Sequence, residues 1–138
     1  MNPGKLTLAA LVGGITMWLL AGLWHEFIAV RFYAEKTDAT HEGTVIIFIA
    51  YIVLAILMAY MFSLGHKKGK RPAIEGLRFG ILIGILWVFP HDLAMAGAHG
   101  ESISYVFKNT AWHIVEQGVG GIIVALVFAK FQKKQVVL

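Results

Sequence analysis

Apolar side chains run along this chain in four long blocks, residues 6–32, 44–65, 74–97 and 110–131, separated by short polar segments. Each block meets the length needed to cross a bilayer, since a hydrocarbon core of about 30 Å takes about 20 residues at 1.5 Å rise. Inside lipid every backbone amide must be bonded within the protein, which selects helices over isolated strands. The pattern therefore predicts an all-α integral membrane protein, a four-transmembrane-helix bundle occupying residues 1–138 as a single domain. Pro90 falls inside the third block, where it removes a backbone donor and crowds the preceding turn, so that helix is expected to be kinked or broken near Pro90.

Composition agrees with this picture. The chain has 138 residues, of which 58% are hydrophobic and only 14% charged, and its mean hydropathy is +0.72. A soluble domain carries about 25% charged residues. The chain has no cysteine, which removes disulfide scaffolds, thiolate zinc sites, iron–sulfur clusters and thiol nucleophiles.

A net charge of +4 and a pI near 9.5 would point to nucleic acid in a soluble protein, but here the positive charges are sorted by side. Lys5 precedes the first block, Lys67, Lys68, Lys70 and Arg71 separate the second and third, and Lys130, Lys133 and Lys134 close the fourth. The other side holds Glu35, Asp38, Glu42 and Glu101 against Arg31, Lys36 and Lys108. By the positive-inside rule both termini are expected on the cytoplasmic side of an inner membrane, and no nucleic-acid partner is expected. Trp24, Tyr33, Tyr105 and Trp112 near the opposite ends of the blocks suit an aromatic belt.

Ionisable residues within spans are costly and mark function by default. Three places in the chain pair a histidine with an acid: His25-Glu26, His91-Asp92, and His113 with Glu116. Helix rise places His25 about 28 Å from residue 6 and His91 about 25 Å from residue 74, with His113 and Glu116 about 5–9 Å into the fourth span. All six side chains are thus expected at one depth in the outer leaflet. Asn109, His113, Glu116, Gln117 and Gly120 share one face of the fourth helix, which should point inward.

Imidazole and carboxylate together suit a divalent transition metal, Zn, Cu, Fe or Mn, with His25, His91, His113, Glu116, Asp92 and Glu26 as ligands or orienting partners. Haem held by two of the histidines is a variant of the same reading. Two readings compete with it: a proton-coupled small transporter or channel whose pathway is these protonatable residues, and a non-catalytic assembly subunit of a larger membrane complex, for which glycine-stepped helix surfaces would be the functional part. The pairs could also be plain interhelical hydrogen bonds. No phosphate loop, dinucleotide fingerprint, nucleophile elbow or complete H-E-x-x-H is present, so no enzyme class is assigned. Gly76, Gly80 and Gly84 form consecutive small-xxx-small steps, expected to pack helices within the bundle or to build a homo-oligomer.

Three segments, AGLWHEFIAVRFY in the first helix, GLRFGILIGILW in the third and WHIVEQGVGGIIVALV in the fourth, resemble small four-span bacterial membrane proteins of unknown function. That resemblance implies the fold and the membrane, and no activity.

Overall fold

The computed structural model describes residues 3–29, 40–65 and 71–133. Four helices cross the molecule. Helix α1 (Pro3–Leu23) continues into a single π turn (Trp24–Ile28), and α2 (His41–Gly65), α3 (Pro72–His99) and α4 (Ile103–Lys133) follow. All four are long and apolar enough to span a bilayer. The protein is a multi-pass, all-α membrane bundle, with no strand among the described residues. Residues 30–32 of the first apolar block and the loop charges Arg31, Glu35, Lys36, Asp38, Lys67, Lys68, Lys70 and Lys134, together with Tyr33, lie outside the described residues.

Local chemistry fixes the helix ends. Thr40 Oγ1 accepts from the Gly43 N–H at 3.1 Å, capping α2, and Pro72 occupies the first turn of α3, where its missing donor costs nothing. Gly100 ends α3 in the left-handed region at φ 73°, its N–H bonded to Ala96 O. Two residues later Ser102 Oγ accepts from the Tyr105 N–H at 3.1 Å. Ser102 thus starts α4 at Ile103, seven residues before the apolar block begins at 110. Ser102→Ala is expected to lower stability by about 1 kcal/mol, read as a small drop in melting temperature.

Helix α3 is continuous through Pro90, so it is not broken there. The departure from α geometry lies instead at the end of α1, where the Ala29 N–H bonds Trp24 O, five residues back.

Neighbouring helices run antiparallel, and their register can be read from the glycines. A Cβ on Gly76, Gly80 or Gly84 would strike the backbone of Gly121, Gln117 or His113 respectively. Helices α3 and α4 therefore touch backbone to backbone along three turns, as small residues allow in lipid. On the other side of α4, Met17 of α1 sits against Gly120, and Gly13 faces Val124. Helix α2 packs chiefly on α1, with Gly14 against Ala55 and Trp18 edge-on to Phe48 at 5.3 Å. The glycine steps thus pack helices inside the bundle.

The two ends differ. At the end holding Pro3, Gly65, Pro72 and Lys133, Phe62 of α2 meets Phe79 and Phe128 at 5.5 and 5.6 Å between ring centroids, and Lys5 Nζ lies 5.2 Å over Phe128. Met17, Met58, Val124 and Ala125 continue this dry core toward the middle. Toward the other end, marked by the Gly100–Ser102 turn, polar side chains enter the interior. Leucine, isoleucine and valine cover the outside, as a lipid-facing surface requires.

Candidate functional site

Helix α4 carries the centre of the polar interior. Glu116 and Gln117 are both completely buried, a placement that demands hydrogen-bond partners for every charged or polar atom. Glu116 has them. Its Oε2 accepts from Tyr51 Oη of α2 at 3.0 Å and from Trp112 Nε1 at 3.1 Å, and its Oε1 accepts from Gln117 Nε2 at 2.7 Å. His113 Nδ1 stands 3.6 Å from Oε1, one helical turn back. All three bonded neighbours donate to its oxygens. The buried acid, its donors and an adjacent imidazole form one network, in which loss of one member exposes the others to desolvation cost.

The π turn of α1 supplies the rest. Its wider spacing sets the Trp24 ring flat against Trp112, with centroids 4.4 Å apart and planes 5° from parallel. The stack holds the Trp112 indole where its N–H reaches Glu116. His25, the next residue, is half-buried and follows the tryptophan that stacks on Trp112. Single π turns of this kind are often found at functional sites, because the added residue re-aims side chains without ending the helix.

Hydrogen-bonding capacity remains around the carboxylate. His113 Nδ1 and Gln117 Oε1 are buried with no hydrogen-bond partner, so the cluster can take a further proton or a small polar guest.

On the lipid side of this cluster, α1 and α2 enclose a groove of ≈ 650 Å3. Its wall is mostly apolar and aromatic, with Trp18, Leu19, Phe27 and Ile47, and its polar positions are His25, Glu26, Thr44 and Tyr51. Tyr51 belongs to both places. Its ring lines the groove while its hydroxyl bonds Glu116, so one side chain separates the groove from the buried carboxylate and connects them.

The six residues expected at one depth divide into two groups. His113 and Glu116 come together, and His25 lies beside Trp24, whose ring stacks on Trp112 of the same cluster. His91 and Asp92 do not join them: Gly84 is level with His113, and His91 lies seven residues further along α3, about 10 Å nearer the turn end. There Asp92 Oδ2 accepts from Asn109 Nδ2 at 2.6 Å, and Oδ1 faces His91 Nδ1 at 3.4 Å. The His91 side chain is 71% exposed. Glu26, beside His25, is exposed and faces the groove. The expected single level rested on a fourth helix beginning at residue 110. Because α4 begins at Ile103, His113 lies about 15 Å in and Glu116 about 20 Å. Among the described residues, no three histidine, aspartate or glutamate side chains converge closely enough to hold a metal ion.

The inward face of α4 matches the spacing argument at His113, Glu116, Gln117 and Gly120, while Asn109 serves Asp92 instead. Three contributors were not visible as such in the sequence. Trp24 and Trp112 looked like interfacial belt residues, and Tyr51 was one aromatic in the most apolar block. Only its hydroxyl within VIIFIAYIVLAILM marked Tyr51 out.

Comparison of the chain with protein-family models, with curated proteins and with solved structures finds no match.

Proposed function

We infer that this is a small proton-coupled membrane protein of the transporter or channel type, with Glu116 as its proton-carrying carboxylate. The observation that supports it most is a fully buried acid bonded from two helices and approached by the His113 imidazole. An intramembrane acid beside protonatable imidazoles is the usual chemistry of proton relays. Glu26 lies exposed near the turn end, His25 follows it at half depth, and His113 with Glu116 lies innermost, so the protonatable groups descend in order from the surface.

Beyond Glu116 the path stops. Met17, Met58, Val124 and the Phe62, Phe79 and Phe128 cluster fill the half nearer the termini. A site reached from one side and sealed by apolar packing on the other fits alternating access, in which one set of helices rocks against another. Glycine contacts lock α3 to α4, while α2 packs chiefly on α1, so the moving boundary in this reading is between α2 and the α3·α4 pair.

Lys5, Arg71 and Lys130 lie at the end where the chain begins and finishes. With the positive-inside rule they support an inner-membrane protein with both termini cytoplasmic and the Glu26 side facing outward.

Liposomes carrying the purified protein and an internal pH-sensitive dye test the proposal. Wild-type protein is expected to dissipate an imposed pH gradient faster than empty liposomes, and Glu116→Gln to remove most of that increment, at least tenfold. Wild-type flux equal to that of empty liposomes would overturn it. So would one equivalent of transition metal held by the purified protein and lost in His113→Ala, which would make the cluster a metal centre.

A further inference from the structure

The groove between α1 and α2 faces lipid, yet it is not lined as a plain lipid-facing surface would be. We propose that it binds a lipid-soluble quinone or quinol, with the oxygen-bearing ring at the level of His25, Glu26 and Thr44 and the hydrocarbon tail running toward the bilayer. The assignment of a protonatable head rests on the proton-handling reading of Glu116. Its location and its preference for an uncharged ring rest on the groove alone.

Charge on the described lining disfavours the commonest alternative, a phospholipid headgroup. Among the described residues that line the groove there is no lysine or arginine, and Glu26 is an acid. Among these described residues a phosphate headgroup would meet the Glu26 carboxyl group and no cation, whereas a neutral head meets an imidazole and a carboxyl group, with the Thr44 hydroxyl, which donates to Thr40 O at 3.1 Å, left to accept from a quinol hydroxyl. Shape points the same way. Trp18, Phe27 and Tyr51 present aromatic faces, which favour a flat ring over a saturated chain. A volume of ≈ 650 Å3 falls within the usual range for small-molecule sites, about 300–1,000 Å3.

Position adds a consequence. The Tyr51 side chain that walls this groove carries the hydroxyl bonded to Glu116. A ring held at this level therefore lies beside a side chain that leads to the buried acid.

Gly22 allows a clean test. It lines the groove, and a Cβ there would meet nothing within 4 Å, so Gly22→Leu fills the space without straining the helix contacts. Purified protein in dodecyl maltoside micelles is titrated with a benzoquinone bearing a decyl side chain, following quenching of tryptophan fluorescence, for which Trp18 is the reporter in the groove wall. Saturable quenching is expected for the wild type and at least tenfold weaker for Gly22→Leu. Quenching that does not saturate, or that is the same in wild type and Gly22→Leu with native helicity, would overturn the proposal. Displacement of the quinone by an equal mole fraction of phosphatidylglycerol would also overturn it, in favour of an acyl-chain site. Saturable binding without proton flux in liposomes removes the Glu116 reading alone, and flux without saturable binding removes the quinone alone.

Discussion

Replacing Gly80 by valine is expected to be among the most damaging single changes in the molecule, with a loss of about 3 kcal/mol or more. Even the first added carbon has nowhere to go. A Cβ on Gly80 would overlap Gln117 O and come within 2.7 Å of Gln117 C and 2.8 Å of Gly118 Cα, all of them backbone atoms of α4. A flexible side chain could turn away from such a contact, but a helix backbone can only move as a body. Helices α3 and α4 would have to separate, losing the close packing that replaces the hydrophobic effect as the cohesive force in lipid. The damage should reach the site, because the residue struck is Gln117, whose amide bonds Glu116. Gly97→Ala is the control, since a Cβ there meets nothing within 4 Å and alanine is the better helix former by up to about 1 kcal/mol. Melting followed by circular dichroism in detergent should show a large fall for Gly80→Val and none for Gly97→Ala. Equal melting of the two variants would remove the backbone contact as the main cohesive feature of this pair.

The same contact explains how much of the architecture could be read from the sequence. Four blocks of apolar residues and the 76, 80, 84 glycine spacing are properties of single helices, and both correspond to features of the fold. The face carrying His113, Glu116 and Gln117 was legible for the same reason, since i, i+3 and i+4 neighbours share a helix surface. What could not be read was relative position between helices. Whether His91 reaches His113 depends on where α4 begins and on its register against α3. The first is set by a single hydroxyl, Ser102 Oγ, and the second by the meeting of Gly84 with His113 O. Neither leaves a periodic trace. Tyr51 shows the limit most clearly: it lies 65 positions from Glu116 in the chain, and only packing brings its hydroxyl to the carboxylate.

The π turn is a second feature without a sequence signal. Trp24, His25 and Glu26 would lie about 100° apart on a regular helix, and the extra residue in the turn changes how they are shared among the interior, the cluster and the groove. The result divides the bundle functionally along its length. Glycine and alanine contacts and three phenylalanines make one half a fixed scaffold, while in the other a stacked tryptophan pair, a histidine, a glutamine and a tyrosine gather about the acid. Rigid support beneath a polar cluster is what holds such groups at fixed separations.

Glu116→Ala is the second change expected to be severe, and its comparison with Glu116→Gln separates stability from function. Alanine removes the carboxyl oxygens that accept from Tyr51 Oη, Trp112 Nε1 and Gln117 Nε2, leaving buried donors unsatisfied around a new cavity. Each such group costs about 1–3 kcal/mol when isolated, and because the three can partly relax together a total of about 3–5 kcal/mol is expected, the range for breaking a buried charged pair. Glutamine keeps the volume and one acceptor oxygen, which can stay with Tyr51 and Trp112. Its new amide would then face the Gln117 amide, and Gln117 can answer by turning over, presenting the Oε1 that has no partner in the wild type. Glu116→Gln should therefore melt close to the wild type while losing the proton-carrying group. Tyr51→Phe should cost an intermediate amount, about 1–2 kcal/mol, and that cost should shrink when combined with Glu116→Ala, because the hydroxyl has by then lost its acceptor. Additive effects of Tyr51→Phe and Glu116→Ala would show that the two side chains do not act through a shared bond. A Glu116→Gln protein as unstable as Glu116→Ala would mean that the negative charge itself, rather than a satisfied acceptor, holds the three donors in place.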